Sequence, residues 1–203
     1  MEIALMSVII LIISVILHEM AHGYAAESLG DPTARIAGRL TMNPLVHIDP
    51  LGSVILPALF VLTGSPVVFG WAKPVPFNPA NIRGTQWKER YGGALVALAG
   101  PAVNILLAII FGLLIRFGFF NELLNQFFLM IVMVNSALAI FNLIPVPPLD
   151  GHHILASVLP YSLRQKYLSL YQYSFLFIFI AVFVLWQLVS PLVVLLVRGI
   201  TGL

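Results

Sequence analysis

Residues 3–29 read Ile-Ala-Leu-Met-Ser-Val-Ile-Ile-Leu-Ile-Ile-Ser-Val-Ile-Leu-His-Glu-Met-Ala-His-Gly-Tyr-Ala-Ala-Glu-Ser-Leu. Residues 3–17 carry no charged or imidazole side chain, and the apolar character runs on to Leu29. Crossing a bilayer takes roughly 20 residues, so the stretch predicts a membrane-spanning helix stopped by Gly30-Asp31-Pro32. A secretory signal is the competing reading. It fits poorly, because no basic residue precedes the apolar run. Within this helix stands His18-Glu19-Met20-Ala21-His22. Residues four apart share a helix face. His18 and His22 can therefore address one metal ion, while Glu19 projects about 100° around the axis. Two His at this spacing with an adjacent Glu suit a zinc ion and a general base. Ionisable groups are costly inside a membrane and point to function there.

The whole chain has the same character. Of 203 residues, 60% are hydrophobic and only 9% are charged, against about a quarter charged in soluble domains. Ten basic and eight acidic side chains are too few to clothe a water-facing surface of this size. This composition excludes disorder and a disulfide scaffold. A net charge of +2 implies no polyanionic partner, so no nucleic acid is expected. With no cysteine, any metal must be held by His, Asp or Glu.

Charges mark the edges of the apolar runs. Spans are expected over about 3–29, 91–115, 127–144 and 168–196. Residues 50–70 are uncharged but punctuated by Gly52, Pro57, Gly64, Pro66 and Gly70. That pattern suits a re-entrant or broken element, within a region of about 50–80. Alternating prolines after Trp71 read as extended chain or an edge strand. Gly93, Ala97 and Pro101 recur at four-residue spacing and predict a face for close helix approach. A short helix is expected over 151–163. Strict alternation over about ten residues is absent, which argues against a transmembrane barrel. Glu27, Asp31 and Glu122 sit at segment ends and read as solvated anchors.

Basic residues orient such a protein. If 50–70 returns to its starting side, eight of the ten basic residues share one face, and only Arg116 and Arg198 lie opposite. The site then lies nearer the cytoplasm of a multi-pass cell-membrane protein. A full crossing by 50–70 gives four against six, which inverting the protein would rescue. The metal chemistry breaks that tie. A catalytic zinc takes three protein ligands and an open position. His47, Asp49, Glu122, Asp150, His152 and His153 are candidates for the third. Asp150 is favoured, because it follows an apolar run broken by Pro145, Pro147 and Pro148, and broken backbone at membrane depth lines cavities. A helix N-cap is its structural alternative. His18, His22 and Asp150 meet only if the ends of 3–29 and 127–144 share one membrane face. That is the re-entrant arrangement.

Taken together, His18 through His22, Ala99-Gly100-Pro101-Ala102-Val103-Asn104, and Asn142 through Asp150-Gly151 resemble the site-2 protease family, intramembrane zinc metalloproteases of peptidase family M50. Asn43 through Gly52 and Gly70-Trp71-Ala72-Lys73-Pro74-Val75-Pro76 resemble its compact branch, without PDZ or CBS domain. The resemblance spans nearly the whole chain. It implies an all-α polytopic membrane protein of about four full transmembrane helices. A re-entrant segment with a short β-hairpin-like element over 65–80 would complete a single protease domain, 1–203. It implies one Zn²⁺ per chain on His18, His22 and Asp150, with Glu19 activating water. The implied substrate is a transmembrane segment of another protein in the lipid bilayer, cut in regulated intramembrane proteolysis. Asn104 and Asn142 are candidates for holding the substrate backbone or the developing oxyanion; interhelical hydrogen bonding is their alternative, and the expected role of Asn135. His47, Asp49 and His152 are candidates for orienting a zinc ligand. The competing function is a non-enzymatic intramembrane metal-binding protein or metal transporter. That reading needs further ligands across the bilayer, and the outer halves of the spans contain none.

Overall fold

Gly30 ends the first helix with a φ of 107°, a left-handed turn that glycine adopts at little cost. This helix, α1 (Glu2–Ser28), is the first element of the computed structural model, which describes residues 2–63, 70–118 and 120–203. The chain continues through α2 (Thr33–Ile36), a 3-10 turn at Pro44–His47, a π-type turn at Pro50–Ile55 and α3 (Leu56–Leu62). After the extended residues 70–78 come α4 (Gln86–Arg116), α5 (Glu122–Asn142), α6 (Asp150–Val158), α7 (Tyr161–Leu168), α8 (Ser174–Ile180) and α9 (Trp186–Thr201). Among the described residues there is no strand. Part of the hairpin-like element expected over 65–80 falls on residues 64–69, which lie outside the described residues.

Among the described residues, four helical stretches are long and apolar enough to cross a membrane: Leu5–Ser28, Gln86–Arg116, Glu122–Asn142 and Tyr161–Leu185. Large apolar side chains such as Leu5, Val8, Ile12, Leu59 and Leu195 face outward, as a lipid solvent requires. Several elements run past the expected bounds. α4 starts five residues before 91 because the Thr85 hydroxyl caps it, accepting from the Lys88 N–H at 3.3 Å. α5 starts at Glu122 because the Asn121 side chain accepts from the Leu124 N–H at 3.0 Å. The helix expected over 151–163 is two, α6 and α7, divided at Pro160, which cannot continue an α-helix from α6.

α4 is the central element. Its buried face carries the row Gly92, Val96, Gly100, Asn104, Ala108 and Gly112, and Ala97 and Pro101 of the expected row are buried beside it. A Cβ at Gly92 would press on Ile82, and one at Gly112 on Ile200. α1 runs antiparallel to α4: His22 meets Val96, and Ser14 meets Asn104. α5 is antiparallel to α4 as well, with Phe111 against Phe128 and Asn104 against Asn135. The ends of α1 and α5 therefore lie together, and residues 29–85 leave α1 and enter α4 at that same end. Ala26, Ile82 and Val96 form a buried cluster there.

Residues 70–78 lie as a strap along α1. The Trp71 N–H donates to Gly52 O at 3.2 Å and the Lys73 N–H to His47 O at 2.9 Å. Arg39 Nη2 donates to Lys73 O at 2.6 Å and Ser53 Oγ to Trp71 O at 2.8 Å. Asp31 closes the far end. It is not a solvated anchor but wholly buried. Its carboxylate accepts from Asn78 N at 2.7 Å, Asn81 Nδ2 at 2.7 Å, Thr33 N at 3.2 Å and the Thr33 hydroxyl. Burial alone would raise its pKa, but the hydrogen bonds from Thr33, Asn78 and Asn81 outweigh it and hold the carboxyl below its ordinary value. Asp31→Ala strands these donors and should lower stability by about 3 kcal/mol at pH 7. The stabilisation is complete above the unfolded pKa of about 3.9 and fades as pH falls through the lower folded value. Thermal midpoints of wild type and variant in detergent should therefore differ at pH 7 and converge below about pH 4. A constant difference would refute the assignment.

Candidate metal centre

α1 presents His18 and His22 one turn apart toward α4, and α6 opens with Asp150 against the same spot. His18 Nε2 and His22 Nε2 are 3.0 Å apart. Asp150 Oδ2 lies 3.2 Å from His18 Nε2, and Asp150 Oδ1 lies 3.4 Å from His22 Nε2. Among the described residues these three form the only group of His, Asp and Glu spaced to hold a metal ion. Zinc bonds of about 2.0–2.2 Å in a tetrahedron put ligand atoms about 3.3–3.6 Å apart, close to the separations seen.

The outer nitrogens settle which ring atoms are free. His22 Nδ1 donates to the Val96 carbonyl at 2.7 Å, since a carbonyl can only accept. His18 Nδ1 lies 2.5 Å from Asn104 Oδ1 and donates to it. Each neutral ring then keeps its lone pair on Nε2. Two lone pairs and a carboxylate facing one another repel unless a cation sits among them. The donor set therefore fits Zn²⁺, with the His ligands oriented by their other nitrogens.

Two glycines make room for this. A Cβ on Gly100 would sit 2.6 Å from both His18 Cε1 and His18 Nε2, and against His22 Nε2. The bare α4 backbone thus forms one wall of the centre. A Cβ on Gly151 would lie 2.5 Å from Ile144 O and against Leu143 O. Glycine there lets α6 start hard against the end of α5, which aims Asp150 at the histidines.

Glu19 faces the strap. Its Oε2 accepts from the Val75 N–H at 2.8 Å, so the carboxylate is held beside the two histidines by extended backbone.

The other candidates are placed as follows. Asn104 is wholly buried beneath His18, and its Nδ2 donates to Asn135 Oδ1 at 2.8 Å and toward Ser14 O at 3.5 Å. All of its polar atoms are engaged within the protein. Asn142 donates to Leu138 O at 3.0 Å, one turn back on α5. His47 Nε2 donates to Thr41 O at 3.0 Å. Asp49 caps the π-type turn, accepting from Leu51 N at 3.0 Å and Gly52 N at 2.7 Å. His152 is wholly buried and packs its ring 4.4 Å from that of Tyr167; neither ring nitrogen bonds to Asp150. Glu122 begins α5 at the end opposite Asn142.

Similarity to known proteins agrees with this donor set. The model of peptidase family M50 matches residues 119–186. The chain is 40% identical to "Putative zinc metalloprotease YwhC" of Bacillus subtilis, over 87% of this chain and 79% of that protein. It is 30% identical to Rip2 of Mycolicibacterium smegmatis, which carries the same description, over 82% of this chain and 62% of that protein. A zinc metalloprotease of Methanocaldococcus jannaschii is 29% identical over 74% of this chain and 33% of that protein. The chain thus spans less than two thirds of the latter two. No solved structure matches it significantly.

Proposed function

The chain belongs to peptidase family M50, and from that premise we propose that this zinc metalloprotease cuts peptide bonds within the bilayer. Residues 1–203 act as one protease domain. The observation that carries the reading is the convergence of His18, His22 and Asp150 on one point of a membrane-length helix, with Glu19 adjoining. His18 Nε2, His22 Nε2 and Asp150 hold the metal. Bound there, zinc supplies Lewis acidity, polarising a carbonyl and making water nucleophilic near neutral pH.

Glu19 takes the proton of the attacking water as the new C–O bond forms, and gives it to the leaving amine as the C–N bond breaks. The Val75 N–H holds one oxygen of Glu19, so the other is the one presented to water. At a rise of 1.5 Å per residue, His18 and His22 lie about 18 and 12 Å along the axis from Gly30. The reaction therefore takes place below the headgroups. The substrate is a transmembrane segment of another protein, unwound before attack because a helix buries its peptide bonds in internal hydrogen bonds. Eight of ten basic residues on the side of the α1 C-terminus support a site nearer the cytoplasm.

Reconstitution tests this against the metal-carrier reading. Purified protein in lipid vesicles should cleave a co-reconstituted single-span protein, lose that activity on chelation, and regain it on adding zinc. It should move no zinc across the vesicle wall. Zinc flux without cleavage would overturn the proposal.

A further inference from the structure

Beneath His18 runs a chain of buried amides whose direction is set by backbone. Asn135 Nδ2 lies 2.9 Å from Ile131 O and 3.0 Å from Ser14 Oγ. The carbonyl can only accept, so that end of the Asn135 amide must be the nitrogen. Its oxygen then faces Asn104, whose near atom, 2.8 Å away, must donate. The same Asn104 nitrogen points toward Ser14 O, a second obligate acceptor. Asn104 is left with its oxygen toward His18. His18 Nδ1 must then carry the ring proton, and Nε2 the lone pair. Asn104, Asn135, Ser14 and His18 are all buried. Beside them a cavity of about 320 Å³, bordered by Ile10, Ile13, Leu107 and Phe111, reaches Ser14 and Asn135. Apart from Ser14 and Asn135 its walls are apolar and offer no further partners for a bridging water.

We propose that Asn135, seated by Ser14 and the Ile131 carbonyl, is a positioning residue for the zinc centre. It acts through Asn104 to fix the tautomer of His18. This rests on the reading of His18 as a zinc ligand. Without Asn135, Asn104 keeps only the long contact to Ser14 O and can turn its nitrogen toward His18. That orientation places the ring proton on Nε2, the nitrogen the metal needs. Interhelical adhesion alone would require no such polarity.

Zinc affinity of the full chain in detergent, by competition with a chelator, and ¹⁵N-histidine spectra of the metal-free protein test this. Asn135→Leu should weaken zinc binding about 10- to 100-fold and shift His18 from the Nδ1–H form to a mixture. If leucine prevents folding, Asn135→Ala substitutes for it. Ser136→Ala, equally buried on α5 and outside the chain of amides, should change neither readout. An unchanged His18 tautomer in the Asn135 variant overturns the proposal, as does an equal loss of affinity in Ser136→Ala. His18→Ala separates the two levels: zinc retained by that variant would defeat the metal-site reading itself.

Discussion

Gly100→Ala should strip the enzyme of zinc. The added methyl would lie 2.6 Å from His18 Nε2 and tightly against His22 Nε2, where two ligand nitrogens converge on the metal. Carbon contacts of that length do not occur, so the imidazoles or α4 must shift. A shift of this kind acts on the ligands directly. Zinc affinity should fall by about 100-fold or more, beyond the effect of removing an orienting partner. Helix propensity works in the other direction, because Gly→Ala in a helix interior gains about 1 kcal/mol. Any loss is therefore steric. Gly93→Ala is the matched control, since a Cβ there meets nothing within 4 Å. Metal content after purification and chelator titration decide the matter. A Gly100→Ala protein holding one zinc per chain would mean that the metal lies elsewhere.

Glu19→Gln should separate binding from chemistry. Glutamine keeps the size of the side chain and an oxygen for the Val75 N–H, which Oε2 now accepts at 2.8 Å. It cannot take a proton from water. Glu19 is not among the three grouped metal-binding atoms, so zinc content should stay at the wild-type level. Cleavage of a single-span substrate should drop by about 10²- to 10⁴-fold. Zinc lost together with activity would make Glu19 a structural group instead. Activity retained with zinc bound would give the proton transfer to another residue.

Much of the centre could be read from the chain itself, for reasons of range. His18 and His22 are four residues apart on one helix, so helical geometry alone aligns them. Asp150 follows less directly, from the need for a third ligand and from prolines that break α5 beyond Asn142. Asn104 illustrates the limit. Its place in a resembling motif left substrate contact and interhelical bonding both open, because its partners come from α1 and α5 and exist only once three helices pack. Gly100 belongs to the same motif, yet nothing local distinguishes a glycine that admits a helix from one that admits two imidazoles. Within the expected row, Ala97 and Pro101 are buried while Gly93 meets no neighbour, a difference equally invisible from local sequence. α4 begins before the apolar run because Lys88, Glu89 and Arg90 mark where a membrane surface would fall, whereas Thr85 marks where the helix begins. Asp31 was misread because its donors, Asn78 and Asn81, lie nearly fifty residues away.

The strap has a further consequence in the chemistry of its two edges. Its N–H groups at 71, 73 and 75 are all spent inward, on Gly52, His47 and Glu19, and the carbonyls of 71 and 73 are taken by Ser53 and Arg39. In extended chain, alternate residues point their polar groups oppositely. The other edge is therefore that of Ala72, Pro74 and Pro76, and two of these three have no N–H. It is an edge of carbonyls with a single donor. Whatever backbone lies along it, from this chain or another, must bring amide protons and can leave its own carbonyls largely unmatched. A segment rich in proline would pair there badly, and a freshly unwound helix, with every N–H released, would pair well.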